Sequence, residues 1–248
     1  MSAETEGGVP RRITRLTGSW IAERLENIPE GAVALFDIDS TVMDTAPRNF
    51  HILREAAQEI PRLRAVAEAV GPEDFGWSVF GPVQERISLT DEEKRKLEEF
   101  WRARFFSGSY VHYDRPYPGV AKLLTELRNR GMKIVYLTGR DEPNMSAGTR
   151  DSFAEHSLPV GPGSRFVFKP TAEEADLPFK ERACAALAAE AKVLLAVENE
   201  PANANMMRII FPEAVVALID TVTSPHAVEP AEGIVVFSVY ADSGPGLQ

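Results

Sequence analysis

The segment Ala32-Val33-Ala34-Leu35-Phe36 is a continuous apolar run that ends abruptly in Asp37-Ile38-Asp39-Ser40-Thr41. It is short, bounded by Gly31, and has no polar face, which predicts a parallel strand covered on both sides. Such a strand needs helices above and below it, so it commits the chain to a layered α/β architecture. The downstream sequence agrees. Ile134-Val135-Tyr136-Leu137, Phe166-Val167-Phe168, Val193–Val197, Val215–Ile219 and Ile234–Phe237 are further strand-sized apolar runs. Helical patterns separate most of them: Val120, Leu123, Leu124 and Leu127 closed by Gly131, an Ala-rich stretch over 179–191, and a helix over 203–210. The alternation predicts a Rossmann-like parallel sheet with helices on both faces.

Residues 46–114 interrupt that alternation. Phe50, Leu53, Ala57, Ile60, Leu63, Ala67 and Val70 keep a helical period up to Gly71-Pro72. Thr90-Asp91-Glu92-Glu93 has the pattern of a capping box, opening a helix whose apolar stripe is Leu97, Phe100, Trp101 and Phe105. The stretch over 72–89 is expected to hold a short helix. The expected organisation is a loose tail over 1–17, a helix from about Trp20 to Glu26, an α/β core over 18–45 and 115–248, and an all-helical insertion over 46–114. The end of the chain, around Ser243-Gly244-Pro245-Gly246, is expected to fray.

Composition narrows the function classes. Of 248 residues, 37 are acidic and 27 basic, giving a net charge of −10. A surface of that sign repels phosphate backbones and anionic lipid, so neither a nucleic-acid scaffold nor a membrane-bound protein is expected. The apolar runs are far shorter than a membrane span. Met1–Glu6 is acidic with no apolar stretch, and the lone Cys184 allows no intrachain disulfide, so a cytoplasmic location is the expectation. Cys184 sits in the Ala-rich helical pattern and is expected to be a small buried apolar residue. No feature of the sequence speaks to oligomeric state.

In an open parallel sheet, ligands gather at the carboxyl ends of the strands. Four places there carry chemistry. Asp37 and Asp39, two residues apart past the first strand, can point into one cleft. Thr138-Gly139-Arg140 follows the second strand and offers a hydroxyl and exposed backbone N–H groups. Two lysines, Lys169 after one strand and Lys180 at a helix start, can supply positive charge. Glu198-Asn199-Glu200-Pro201-Ala202-Asn203 follows the Val193–Val197 strand with oxygen donors of the kind a hard cation prefers. There is no Gly-rich Walker loop, no H-E-x-x-H and no G-x-S-x-G elbow, and the four histidines are scattered. Trp77, Phe80, Trp101, Phe105 and Phe106 are expected mainly to build the core of the insertion, with one or two facing the cleft.

Together these motifs resemble the haloacid dehalogenase-like superfamily. Asp37-x-Asp39-x-Thr41 is similar to its first motif, Thr138-Gly139-Arg140 to its second, Lys180 or Lys169 to its third lysine, and Glu198-Asn199 to its fourth motif. The resemblance spans about residues 30–220, and the insertion is similar to a C1-type helical cap. It implies a phosphohydrolase that acts on a small phosphorylated substrate. Asp37 would be the nucleophile and Asp39 the general acid and base. Thr138 and Lys180 would hold phosphoryl oxygens, with Thr41, Gly139, Arg140 and Lys169 as further substrate contacts. Mg²⁺ would be held by Asp37, the Asp39 backbone, Glu198 and Asn199. The dehalogenating members lack the second Asp, so Asp39 favours phosphate chemistry. The fourth motif departs from the usual pattern, which carries Asp where Asn199 and Asn203 stand here. A phosphomutase, or a non-catalytic binding protein on the same scaffold, remains an alternative.

Overall fold

The computed structural model describes residues 11–25, 27–225 and 228–240. In chain order the elements are β1 (Arg11–Arg15), α1 (Gly18–Ala22), β2 (Val33–Phe36), β3 (Met43–Asp44), α2 (Ala46–Glu59), α3 (Arg64–Ala69), α4 (Phe80–Arg86), α5 (Asp91–Phe105), β4 (Arg115–Pro116), α6 (Val120–Asn129), β5 (Lys133–Asp141), α7 (Glu142–Glu155), β6 (Ser164–Lys169), α8 (Asp176–Glu190), β7 (Val193–Glu198), α9 (Pro201–Ile210), β8 (Val215–Ile219) and β9 (Val235–Val239). Seven strands form one sheet in the order β1-β9-β8-β7-β2-β5-β6, and every pair is parallel. This is the α/β fold expected from the alternating pattern.

β2 lies between β5 and β7, near the middle of the sheet. Its residues alternate between two hydrophobic clusters: Ala34 and Phe36 join one, Val33 and Leu35 the other. Burial on both faces is why the run has no polar position. From β2 the chain builds β5 and β6 on one side, then crosses to build β7, β8 and β9 on the other. The order reverses at β2, so the cleft at its carboxyl end is the expected ligand position.

The segment from α2 to the 3₁₀ turn Gly108–Tyr113 is helical among its described elements and encloses its own apolar cluster, which includes Leu53, Leu63, Val83, Leu97 and Trp101. Its entry and exit are stitched together by β3 and β4, a two-residue antiparallel pair with Met43 opposite Pro116 and Asp44 opposite Arg115. Its exit also presses on α7, where Gly108 and Gly148 meet backbone to backbone; a Cβ on either would collide with the other segment.

Three expectations need correction. The loose tail was drawn to residue 17, yet Arg11–Arg15 pairs with β9 as an edge strand. Only Ile13 packs on the core there, so an arginine-rich edge carries almost no apolar signal, and charge on an edge discourages further pairing. Residues 1–10, Glu26 and the expected frayed end at 243–246 lie outside the described residues. The single helical period over Phe50–Val70 is broken, because Pro61 lacks an N–H and pushes Ile60 out of helical geometry, so α2 stops at Glu59. Helix α7 was not expected. It carries Pro143, Gly148 and several short polar residues, and its start is fixed by Asp141, whose carboxylate accepts from the backbone N–H of Asn144 at 2.9 Å.

The Thr90 capping box is present: Glu93 N–H donates to Thr90 Oγ1 (3.2 Å) and Thr90 N–H donates to Glu93 Oε2 (2.8 Å). Thr90→Ala should therefore lower stability by about 1 kcal/mol, read as a shift in the urea midpoint at unchanged m-value.

Candidate active site

Asp37 is the first residue past β2. Its backbone N–H donates to Val197 O (3.0 Å), which carries the sheet ladder one residue further and fixes the side chain at the strand end. The chain then turns sharply. Ser40 takes a left-handed φ of 59°, its N–H donates to Met43 O (2.8 Å), and its carbonyl accepts from Thr221 Oγ1 (2.5 Å). A non-glycine residue in that region is strained, and here one local and one tertiary hydrogen bond hold it. Thr41, fully buried, donates its hydroxyl to Asn199 Oδ1 at 3.0 Å, tying the first acidic loop to the loop after β7.

Lys180 enters from the first turns of α8. Its ammonium donates to Asp37 Oδ1 (2.7 Å) and Glu198 Oε2 (3.0 Å), and Asp176 Oδ2 lies at 3.6 Å. The side chain is almost fully buried. One ammonium therefore faces three carboxylates, a formal charge of −2. Burial and the neighbouring Glu198 push the Asp37 carboxyl well above its ordinary range, against the pull of Lys180. Burial also raises Glu198, again opposed by Lys180. For Lys180, burial disfavours the charged form, but Asp176, Asp37 and Glu198 more than restore it and raise its pKa.

Asp39 faces a different environment. Arg140 grips it in a fork, Nε to Oδ2 (2.9 Å) and Nη2 to Oδ1 (2.8 Å), and Arg48 Nη2 adds a third bond to Oδ1 (2.9 Å). Both arginines also bind Asp114. Arg48 donates from Nε and Nη2 at 2.8 Å each, and Arg140 donates from Nη2 at 2.6 Å. Burial alone would raise Asp39, but the two guanidinium charges and their hydrogen bonds hold it well below the usual carboxylate range. Arg48 comes from the first turn of α2, and Asp114 follows the last turn of the insertion. The two ends of the insertion are thus bolted to Asp39 through a quartet of two cations and two anions, in which Arg48, Arg140 and Asp114 are buried and Asp39 is half-buried.

The remaining expected residues fall at or near the same cavity, whose volume is about 290 Å³. Asp37, Asp39, Gly139, Arg140, Lys169, Lys180, Glu198 and Asn199 line it. Gly139 has no room for a Cβ, which would strike Asp176 Oδ1. Thr138 is fully buried behind this lining, and its hydroxyl accepts the Arg140 N–H (3.1 Å) in a tight turn. All three guanidinium nitrogens of Arg140 are engaged, since Nη1 donates to Thr149 (3.0 Å) while Nε and Nη2 hold Asp39, so its main part is to orient Asp39. Of the two lysines, Lys180 reaches Asp37, while Lys169 lines the cavity with no hydrogen bond or ion pair among the described residues. Asn203 lies beside the site and donates to Asp176 Oδ2 (3.4 Å).

Sequence reasoning missed Arg48, Asp114 and Asp176. Arg48 and Asp114 sit in stretches where charged residues are common, and their pairing spans 66 positions, with no local spacing to betray it. The aromatic expectation was half right: Trp77, Trp101, Phe105 and Phe106 line the cavity, while Phe80 packs within the insertion. Cys184 is fully buried, and burial pushes its thiol up to about 12, as suits an inert packing residue.

For a hard divalent cation the donor chemistry fits in part. Asp37 Oδ2 carries no hydrogen bond among the described residues, and Asn199 brings an amide oxygen; both are donors that Mg²⁺ accepts, beside a local charge of −2 that a dication would offset. Glu198 is the more heavily committed group: its Oε1 accepts the N–H groups of Asn199 and Glu200 (3.1 Å each) and its Oε2 holds Lys180, whereas Asn199 Oδ1 accepts only the Thr41 hydroxyl among the described residues. Among the described residues, no group of three or more His, Cys, Asp or Glu side chains is arranged around a metal position, because the acidic groups converge on the ammonium instead.

The quartet makes a direct prediction. Removing Arg48 (Arg48→Met) leaves Asp114 buried and short of a partner, and should cost about 3–5 kcal/mol in urea unfolding. Breaking the exposed Arg95–Glu99 pair by Arg95→Ala should cost under about 1 kcal/mol. Because the Asp39 pKa is depressed, its contribution is complete above the unfolded carboxylate value of about 3.9 and fades as pH falls below it. The stability gap between wild type and Asp39→Asn should therefore narrow on acidification below about pH 4.

A family model described as haloacid dehalogenase-like hydrolase matches residues 32–209. A comparison with curated proteins gave no match. Among solved structures, a protein from Clostridium difficile assigned as a phosphatase is similar at 13% identity with a TM-score of 0.56, covering 86% of this chain and 96% of that one. A protein from Haemophilus somnus, predicted to be a phosphoglycolate phosphatase, is similar at 13% identity with a TM-score of 0.51, covering 84% and 95% of the two chains. These likenesses report the shared fold. With the family match spanning most of the core, and the acidic strand end, the buried lysine and the β7 loop converging as described, the chain belongs to the haloacid dehalogenase-like hydrolases.

Proposed function

We propose that the protein is a magnesium-dependent phosphohydrolase that cleaves a small phosphate monoester through a phosphoryl group carried on Asp37. The observation that carries this reading is the placement of Asp37: a carboxylate at the carboxyl end of a central parallel strand, buried, with one oxygen fixed by Lys180 at 2.7 Å and the other left without a partner beside the cavity. Fixing one oxygen orients the other as the attacking atom, so the reactants need not search for the geometry. Lys180 also offsets part of the repulsion between a carboxylate nucleophile and an anionic phosphate.

In this reading the phosphoryl group sits between Asp37, the backbone at Gly139 and the ammonium groups of Lys180 and Lys169. Gly139 matters because a side chain there would fill the space beside Asp176. Thr138 acts from behind, through the turn that sets the Gly139–Arg140 backbone. Asp37 and Asn199, with the Asp39 backbone, are the residues that would hold magnesium; Glu198 instead anchors Lys180 and the β7 loop. The chemistry that a bound magnesium ion supplies is charge neutralisation at the meeting of carboxylate and phosphate.

Asp39 is the general acid and base of this scheme, and its partners set a condition. To donate a proton it must first hold one, and three charge-assisted bonds from Arg48 and Arg140 favour the ionised form. Loosening of that grip, on substrate entry or movement of the insertion, is part of the cycle. As a base for the hydrolytic water, the ionised form is already in place.

Phosphate release from p-nitrophenyl phosphate tests the reading. Wild type with Mg²⁺ should turn over, chelation should abolish turnover, and Asp37→Asn should lose at least ~10³-fold in kcat while keeping the native circular dichroism spectrum. Retention of activity in Asp37→Asn contradicts the assignment. Conversion of a sugar phosphate to its isomer without phosphate release would favour a mutase.

A further inference from the structure

The cavity has a second wall that the phosphoryl chemistry does not use. Trp77, Trp101, Phe105 and Phe106 come from the helical insertion, and Met145 from α7. Three of the rings brace one another: Trp101 and Phe105 at 5.1 Å between centroids, Phe105 and Phe106 at 5.2 Å and 79°, Trp101 and Phe106 at 5.9 Å and 68°. They are also fixed from outside. Trp101 Nε1 donates to Asn49 Oδ1 at 2.8 Å, and Phe105 lies under the Arg48 guanidinium at 4.2 Å. A wall held this way is preorganised and does not collapse into the space beside it.

Trp77 and Phe106 are nonetheless 49% and 39% exposed, although Phe106 belongs to this ring cluster. Large apolar side chains left open beside a charged cavity present a surface that gains by being covered. The polar groups of this wall are already spent. The Trp101 N–H goes to Asn49, and the Arg48 guanidinium goes to Asp114, Asp39 and the Phe105 carbonyl. At the foot of the wall, on the core side, Ser40 and Thr45 are the hydroxyl-bearing residues of the lining.

We infer that this wall is the leaving-group subsite, and that the substrates are phosphate monoesters of small aromatic alcohols. The inference rests on the phosphohydrolase reading of Asp37. A ring placed there stacks edge or face against fixed rings, whereas a sugar would bring several hydroxyls against a surface with almost no partner for them. The volume of about 290 Å³ sits at the low end for small-ligand cavities, which suits a phosphoryl group with one or two rings. In the reaction, the bond from phosphorus to the aryl oxygen breaks with its electron pair staying on that oxygen, as a bond forms from phosphorus to an Asp37 carboxylate oxygen. The aryloxide takes the proton held by Asp39; water then attacks the phosphoryl group, gives a proton back to Asp39, and the bond from phosphorus to the Asp37 oxygen breaks, freeing inorganic phosphate and restoring the carboxylate.

Two measurements on the full chain with Mg²⁺ separate this inference from the reading beneath it. The first is binding of phenylphosphonate against methylphosphonate by calorimetry, which does not depend on turnover. Phenylphosphonate should bind at least tenfold more tightly, and Trp77→Ala or Phe106→Ala should reduce that ratio at least fivefold, with Trp77→Phe restoring it. The second is the ratio of kcat/KM for 1-naphthyl phosphate to that for glucose 6-phosphate, which should exceed ten and fall in the same two alanine variants, mainly through KM. Equal binding of the two phosphonates, or a ratio unmoved by both alanine variants, overturns the aromatic subsite. Hydrolysis of no ester at all, with the phosphonate preference intact, overturns the phosphohydrolase reading and leaves the subsite standing.

Discussion

The arrangement of this site depends on one buried ammonium. Lys180 lies among Asp37, Glu198 and Asp176, at 2.7, 3.0 and 3.6 Å. Taking any of these ions out of water is expensive, and only mutual pairing with satisfied hydrogen bonds makes it tolerable. β2, β7 and α8, placed by sheet pairing and core packing, each deliver one part of the cluster to a single point. Glu198 is the clearest case: it caps the backbone of the next two residues with one oxygen and holds the lysine with the other. Even so, anions outnumber cations, and the excess negative charge is what a phosphohydrolase of the proposed kind would use to retain a divalent cation.

A second cluster balances its charges internally. Arg48, Arg140, Asp39 and Asp114 are two cations and two anions, joined by six side-chain contacts of 2.6 to 2.9 Å. Two of its members lie at the two junctions of the helical insertion, while Asp39 lies in the loop after β2 and Arg140 near the end of β5. The insertion is therefore coupled to Asp39 by charge, and to the core by the two-residue β3–β4 pair and the close contact of Gly108 with Gly148. Any movement of the insertion that shifted Arg48 would change the environment of Asp39. The same geometry holds the aromatic wall over the cavity, because Phe105 lies against the Arg48 guanidinium and gives it a carbonyl acceptor.

How much of this was legible in the sequence follows from the range of each interaction. The apolar run over 32–36 announced a strand buried on both faces because that burial leaves no polar position, and the position of Asp37 past its end came with it. The capping box at Thr90 was legible because its partners are three residues apart. Helix α7 was not, since Pro143, Gly148 and a run of short polar residues hide its period, and its anchoring is a glycine contact with a segment about forty residues away. The tail strand was hidden for a related reason, because an edge strand of arginines has one apolar residue to show. In the site, Lys180 was named beside Lys169 as a source of positive charge, and only the geometry reveals the three carboxylates that gather around it. The assignment of Glu198 to a metal followed its residue type, and only the geometry reveals that both its oxygens are occupied. Arg140, expected on substrate, is instead committed to Asp39 and Asp114, a pairing that spans 101 and 26 positions and leaves no local pattern.

The central claim is that Asp37 carries the phosphoryl group, and a chemical trap at that residue tests it most directly. Quenching the protein during turnover of a phosphate ester with Mg²⁺, reducing it with borohydride and mapping its peptides by mass spectrometry converts an acyl phosphate to the corresponding alcohol. The account predicts homoserine at position 37, present only with substrate and absent in Asp37→Asn. Phosphate release with no reduction product at Asp37, or with the product at another carboxylate, would contradict it.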